Sequence, residues 1–241
     1  MDSYEHYALH EMRRWQHKVS RRPSIASKLS RKLQQKINTY IPEKIHQAIT
    51  TAIKQMVRAV LYGSGITTAK VVTGIPLRER EEVVKERVTS YKKTAAVEGG
   101  LTGAGGILLG LADFPLLLGL KIKLLFEIAA LYGHDVNDVR ERVYLLYIFQ
   151  LAFSNQKRRR EVYQQILDWQ ANYDKLPTNM DDFDWRVFQQ EYRDYIDLAK
   201  LAQLVPVIGA AVGLVVNYKL VTQLGETAMN AYRMRWLEKV S

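Results

Sequence analysis

Residues 99–120, GGLTGAGGILLGLADFPLLLGL, carry a single charge, Asp113, in a chain in which 25% of residues are charged. Residues 201–218, LAQLVPVIGAAVGLVVNY, carry none. Glycines recur in both at helical spacing: Gly99 and Gly103, Gly106 and Gly110, Gly209 and Gly213. Glycine inside a helix costs about 0.8–1 kcal/mol against alanine. Clusters of it are tolerated where helix backbones approach closely or meet a bilayer. The two stretches are therefore expected to be the central helices of an all-α fold, packed against each other.

The flanking sequence agrees with that fold class, since helix signals dominate and strand signals are nearly absent. Tyr4–Val19 reads as a first helix, Pro23 opens a second, and Pro42 opens a third that runs to Tyr62. Gly63-Ser64-Gly65 and Gly74-Ile75-Pro76 are breaks. The run Arg78–Lys93 is expected as an exposed helix with pairs such as Glu81–Lys85 at i, i+4 spacing. Asp113 is expected to cap a helix over Leu116–Tyr132 that stops at Gly133, and Asp135 to cap the next, over Val136–Ser154. A loop at Lys175–Asp182, a helix over Asp182–Leu204 and a last helix opened by Pro206 complete a compact bundle of about nine or ten helices. Residues 1–62 form a basic N-terminal part and residues 63–241 the helical core, read together as one continuous domain.

Composition narrows the chemistry. The absence of cysteine removes disulfides, thiolate zinc sites and a cysteine nucleophile. Asp2 and Glu5 near the start, with no apolar run after them, predict no secretory signal and a cytoplasmic location. The net charge of +10 is concentrated at the front, with 12 Lys and Arg against 4 Asp and Glu in residues 1–60. Arg13, Arg14, Lys18, Arg21, Arg22, Lys28, Arg31 and Lys32 lie in a run free of acids between Glu11 and Glu43. Such a field attracts anionic headgroups, phosphates or an acidic protein face. No zinc finger, RNP-like strand or recognition motif accompanies it, so nucleic acid is the disfavoured partner and an anionic membrane surface the favoured one.

The two apolar stretches admit three placements. Leu201–Tyr218 is at the edge of the roughly 20 residues a span needs, and Asp113 burdens the other stretch by about 2.5–3.5 kcal/mol on insertion scales. Burial in a helical core is the expectation, with peripheral insertion and spanning as alternatives. Arg233, Arg235 and Trp236 near the C-terminus are residues an interfacial protein would carry.

Catalytic signatures are missing: there is no G-x-S-x-G, H-E-x-x-H or P-loop. His6 and His10 are spaced to chelate a metal but are read as solvent or packing residues, and no cofactor is expected. Glu98, Asp113 and Glu127 border or lie within the first apolar stretch. Carboxylates there are costly unless paired or titrated, so the three are the candidate set for a metal-dependent hydrolase.

The run from Glu98 through Gly106, Asp113-Phe-Pro-Leu-Leu-Leu and Glu127-Ile-Ala-Ala-Leu-Tyr-Gly-His-Asp135 resembles the signature region of the EcsC family. Val205-Pro-Val-Ile-Gly-Ala-Ala-Val-Gly213, Asn217-Tyr218 and Ala231-Tyr-Arg-Met-Arg-Trp-Leu237 resemble its closing region. That bacterial family is named for an operon encoding an ABC transporter, whose ATPase and membrane subunit are joined by this third protein. The resemblance implies association with transporter subunits at the cytoplasmic membrane and a link to secretion; it brings no established reaction or catalytic residues. The expectation is therefore a non-enzymatic accessory protein peripheral to the inner face of the cell membrane. Arg13, Arg14, Lys18 and the basic residues after them would attach it, and Gly99, Gly103, Gly106, Gly110, Gly209 and Gly213 would bring helices close. The alternative is the metal-dependent hydrolase.

Overall fold

The computed structural model describes residues 1–20, 51, 55–60, 70–104, 114–154, 156–173 and 209–240. Seven helices with defined bounds lie among them: α1 (Ser3–Ser20), α2 (Leu77–Ala104), α3 (Phe114–Leu131), α4 (Val139–Phe153), α5 (Gln156–Leu167), α6 (Trp169–Asn172) and α7 (Gly209–Val240). Residues 55–60 are also helical, and no strand occurs among the described residues. The all-α expectation is met.

The two long helices α2 and α7 make the most extensive helix pair of the molecule. They run antiparallel: Glu81 meets Arg233, and Val88 meets Gly225. Further along α2, Lys92 lies over the Tyr218 ring. α7 also packs on α1, α3 and α4, so residues on several of its faces are buried, Arg233 among them. Val221, Leu224, Ala228 and Ala231 of α7 are buried with Val84 and Val88 of α2, Leu124 and Ile128 of α3, and Val143 and Leu146 of α4. α1 lays Ala8, Met12 and Val19 into this core and rests on α2, α5 and α7.

The glycine that demonstrably brings α2 and α7 together is one the sequence reading passed over. A Cβ at Gly225 would stand 2.6 Å from Val88 Cγ2, closer than carbon atoms can pack. Gly99 and Gly103 lie in the last turns of α2, and Gly209 and Gly213 in the first turns of α7. Gly106 and Gly110 fall outside the described residues, as do Arg21, Arg22, Lys28, Arg31, Lys32 and Asp113.

Boundaries follow local chemistry. Gly133 adopts φ 86°, and the Gly133 and His134 amides donate to the Ala130 and Ala129 carbonyls, closing α3 with a left-handed cap. The stop expected at Gly133 is thus met. α4 is capped by Asp138, whose side chain accepts from the Arg140 amide at 2.8 Å, and not by Asp135. Asp135 instead accepts from the Asn137 amide in the turn before the helix, a local alternative to capping open to short acidic side chains.

The charged run of α2 also departs from expectation. Arg78 and Glu82 form the exposed i, i+4 pair at 3.2 Å. Arg80 and Glu81, however, are buried, and the Glu81–Lys85 pair is replaced by contacts to other helices. Arg80 turns back to donate to the Val72 and Ile75 carbonyls under the Trp236 ring, pinning the segment before its own helix.

A candidate anion-binding groove between three helices

Glu81 is the fixed point from which the site is built. Its Oε1 accepts from Arg233 Nε at 2.6 Å and the Tyr132 hydroxyl at 3.0 Å. Its Oε2 accepts from Arg233 Nη2 and the Tyr4 hydroxyl. A buried carboxylate is tolerable only when its lone pairs are filled in this way. Burial alone would lower the Arg233 pKa, but the hydrogen bonds and charge of Glu81 hold it above its ordinary value. Burial, followed by the Glu81 charge, pushes the Tyr132 hydroxyl well up, so it stays a donor.

A second pair sits on the other side of α7. Arg235 and His134 both approach Glu141, the histidine at 3.3 Å, and the Tyr232 ring stacks on Tyr132 and His134. Burial would raise the Glu141 carboxyl, yet His134 and Arg235 hold it below the usual carboxylate range. Arg233 and Arg235 thus lock α7 to α2 and to α4. They are structural, which corrects the expectation that they serve a membrane interface; Arg235 and Trp236 are half-buried, and Trp236 donates to Glu5 at 3.3 Å.

Through Tyr4 the Glu81 network also positions α1. The Tyr4 hydroxyl donates to Glu81 at 2.8 Å and accepts from Lys85 Nζ at 3.1 Å. At the far end of the helix, Trp15 meets the Tyr163 ring of α5 edge-on at 6.0 Å. Held at both ends, α1 forms one wall of a groove of about 960 Å³, with α2 opposite and α7 as the base.

Three of the eight basic residues singled out from sequence line this groove. Arg13, Arg14 and Lys18 line the groove from α1, and α2 adds Lys85 and Lys92. Among the described residues the lining holds two carboxylates, Glu11 and Glu226, of which Glu11 is taken by Arg14 at 3.0 Å. No described carboxylate lies within 4.0 Å of Lys18, Lys85 or Lys92. The floor is mixed: Val88 packs against Gly225 with Met229 beside them, while Thr222, Glu226, Asn230 and Arg233 of α7 are polar or charged. Sequence reasoning missed Lys85 and Lys92 as site residues. Their seven-residue spacing, two turns on one helix face, is the signal that would have found them.

The acidic candidates are arranged otherwise. Glu127 accepts from the Tyr91 hydroxyl at 2.6 Å and faces Arg87 at 3.8 Å, which makes it a strut between α3 and α2. Glu98 lies on α2 two turns beyond Tyr91, and Asp113 is outside the described residues. Among the described residues no three His, Asp or Glu are grouped closely enough to hold a metal ion. His6 meets the Asp2 carbonyl at 2.8 Å, in keeping with a local packing role.

The described residues define an all-helical protein with a cationic groove between three of its helices. The chain belongs to the EcsC protein family, which it matches over residues 6–237. It is 47% identical to a protein named EcsC from Bacillus subtilis (strain 168) over 234 residues, covering 97% of this chain and 96% of that one. A second protein of the same strain, named uncharacterized protein YdbA, is 32% identical over 162 residues, which is 66% of this chain and 59% of that protein. No solved structure matches. Among the described residues no helix is long and apolar enough to cross a membrane.

Proposed function

We propose that this protein is a non-enzymatic accessory component of the cytoplasmic membrane surface, attached to anionic headgroups through the α1–α2–α7 groove and working beside an ABC-type transporter. The observation that carries the reading is the convergence of Arg13, Arg14, Lys18, Lys85 and Lys92 on one groove whose lining holds two carboxylates among the described residues. Cations near an anionic leaflet contribute about 1 kcal/mol each, so five of them supply useful attachment without any inserted segment. The transporter partner rests on family membership alone.

The charged walls suit a surface: their lysines and arginines are exposed or half-buried on long stems, which adapt to a headgroup layer. Flotation of the full chain with vesicles tests the reading. Binding is expected to phosphatidylcholine vesicles containing phosphatidylglycerol, and not to phosphatidylcholine alone. Equal binding to both would overturn the electrostatic attachment.

A further inference from the structure

We infer that the groove is a stoichiometric site for one anionic phospholipid drawn part-way from the leaflet, a step beyond diffuse attraction to a charged surface. The inference rests on the attachment proposed above and specifies its ligand. A diffuse adhesive patch needs only exposed charge on a convex face. Here the charge forms two opposed walls, Arg14 and Lys18 at i, i+4 on α1 and Lys85 and Lys92 at i, i+7 on α2. Such walls can grip one phosphate from two sides.

The base between the walls is the second observation. Gly225 presents no side chain, so Val88 of α2 packs directly on the α7 backbone and with Met229 sets an apolar strip between the polar lining residues Thr222, Glu226, Asn230 and Arg233. A free phosphate or a sugar phosphate gains nothing from such a base. An amphiphile does, because its glycerol and first methylenes leave water there. A volume of about 960 Å³ is far larger than a phosphate ion needs and falls within the usual range for an amphiphilic ligand of moderate size.

The third observation gives the acyl chains an exit. Met229, Gly225, Thr222, Tyr218 and Leu214 succeed one another at three- and four-residue steps, forming one ridge of α7. The groove occupies the Met229–Thr222 part of it. Beyond Thr222 the ridge stays apolar in the open: Tyr218, Val215 and Leu214 are 41%, 46% and 45% exposed. Lys92 lies over the Tyr218 ring at 4.9 Å, where the cationic groove passes into that apolar ridge. Cations from α1 and α2 thus flank one side of α7, which runs from the Val88–Gly225–Met229 contact to the exposed apolar residues Tyr218, Val215 and Leu214.

The test uses the full chain and ligands below their micelle concentrations, followed by calorimetry and tryptophan fluorescence, since Trp15 lines the groove. Dihexanoyl phosphatidylglycerol is expected to bind saturably with one site per chain. Dihexanoyl phosphatidylcholine, which adds a cation, and glycerol 1-phosphate, which lacks the acyl chains, are each expected to bind at least about tenfold more weakly. Lys92→Ala is expected to weaken the phosphatidylglycerol complex several-fold. Thr222→Trp, which fills the groove from a half-buried position of α7 without changing charge, is expected to abolish it, with circular dichroism and the thermal midpoint confirming the fold. Equal binding of glycerol 1-phosphate would mean a soluble phosphate ligand and overturn the inference, as would undiminished binding by Thr222→Trp. If phosphatidylglycerol vesicles float the protein while the short-chain lipid never saturates, surface attachment stands and the single-lipid site falls. If neither binds, both fall.

Discussion

Arg233 and Lys121 mark the two ways this chain handles a buried charge. Arg233 and Glu81 satisfy one another with help from two tyrosine hydroxyls, so the pair fixes α7 on α2 at little net cost. Removing one partner should be far worse than the pair is worth. Arg233→Met leaves Glu81 charged and buried, and urea unfolding is expected to show a loss of about 3–5 kcal/mol. Lys121 is the opposite case: it is buried, its Nζ reaches only the Leu117 carbonyl at 3.3 Å among the described residues, and burial lowers its pKa from 10.5 to about 8. Because the folded state then gives up its proton first, the unfolded chain binds more protons between those two values. Stability gained from deprotonating Lys121 therefore rises as pH climbs through that window, and the penalty is fully present below it. Lys121→Met is expected to stabilise the protein at pH 7 by on the order of 3 kcal/mol. The advantage of the variant over the parent should shrink as unfolding is repeated toward pH 10. A constant difference across that range would mean that Lys121 does not titrate as its burial requires.

At the scale of elements, the closest feature is the contact of α7 on α2. Gly225→Ala sets a methyl group against Val88, with 2.6 Å available where ordinary packing needs more than 3.4 Å. The substitution gains about 1 kcal/mol of helix propensity but forces the helices apart, at a cost of about 1–3 kcal/mol. Val88→Ala alone opens a gap. The two together should be markedly less destabilised than their sum, with a coupling of about 1 kcal/mol or more in a double-mutant cycle. Additive effects would show that the two positions do not touch. The spaced pairs Gly99/Gly103 and Gly209/Gly213 were the visible signal in sequence, whereas Gly225 stands alone between Leu224 and Glu226 and carries no pattern. Its role is set by a valine 137 positions away in the chain, which no local window contains. The same limit hid Glu81. Inside Arg78–Lys93 it is one charge among many, and only the arrival of Arg233 and Tyr132 distinguishes it from Glu82.

For the whole molecule, charge asymmetry and helix arrangement act together. The surplus of 8 positive charges in residues 1–60 gives the chain a cationic front. Packing α1 beside α2 adds Lys85 and Lys92 to Arg13, Arg14 and Lys18 and turns a run in sequence into a groove in space. Attraction of this origin is screened over about 8–10 Å at 0.1–0.15 M salt. Replacing Arg13, Arg14 and Lys18 with Gln should weaken flotation on phosphatidylglycerol vesicles most at low ionic strength. The difference from the parent should fade as salt rises toward about 0.5 M. A deficit that persists unchanged in high salt would assign those residues a role other than electrostatic.

Helical periodicity, the lack of strand signals, the stop at Gly133, the cationic front and the family were all legible in residue order, because each is local or cumulative along the chain. Tertiary structure alone settled which carboxylates are buried, that Arg233 and Arg235 are locks, that Glu127 is a strut to Tyr91, and that α1 and α2 share a groove. Those outcomes depend on partners far apart in sequence. A charged side chain is costly or harmless, structural or available, only according to what the fold sets beside it.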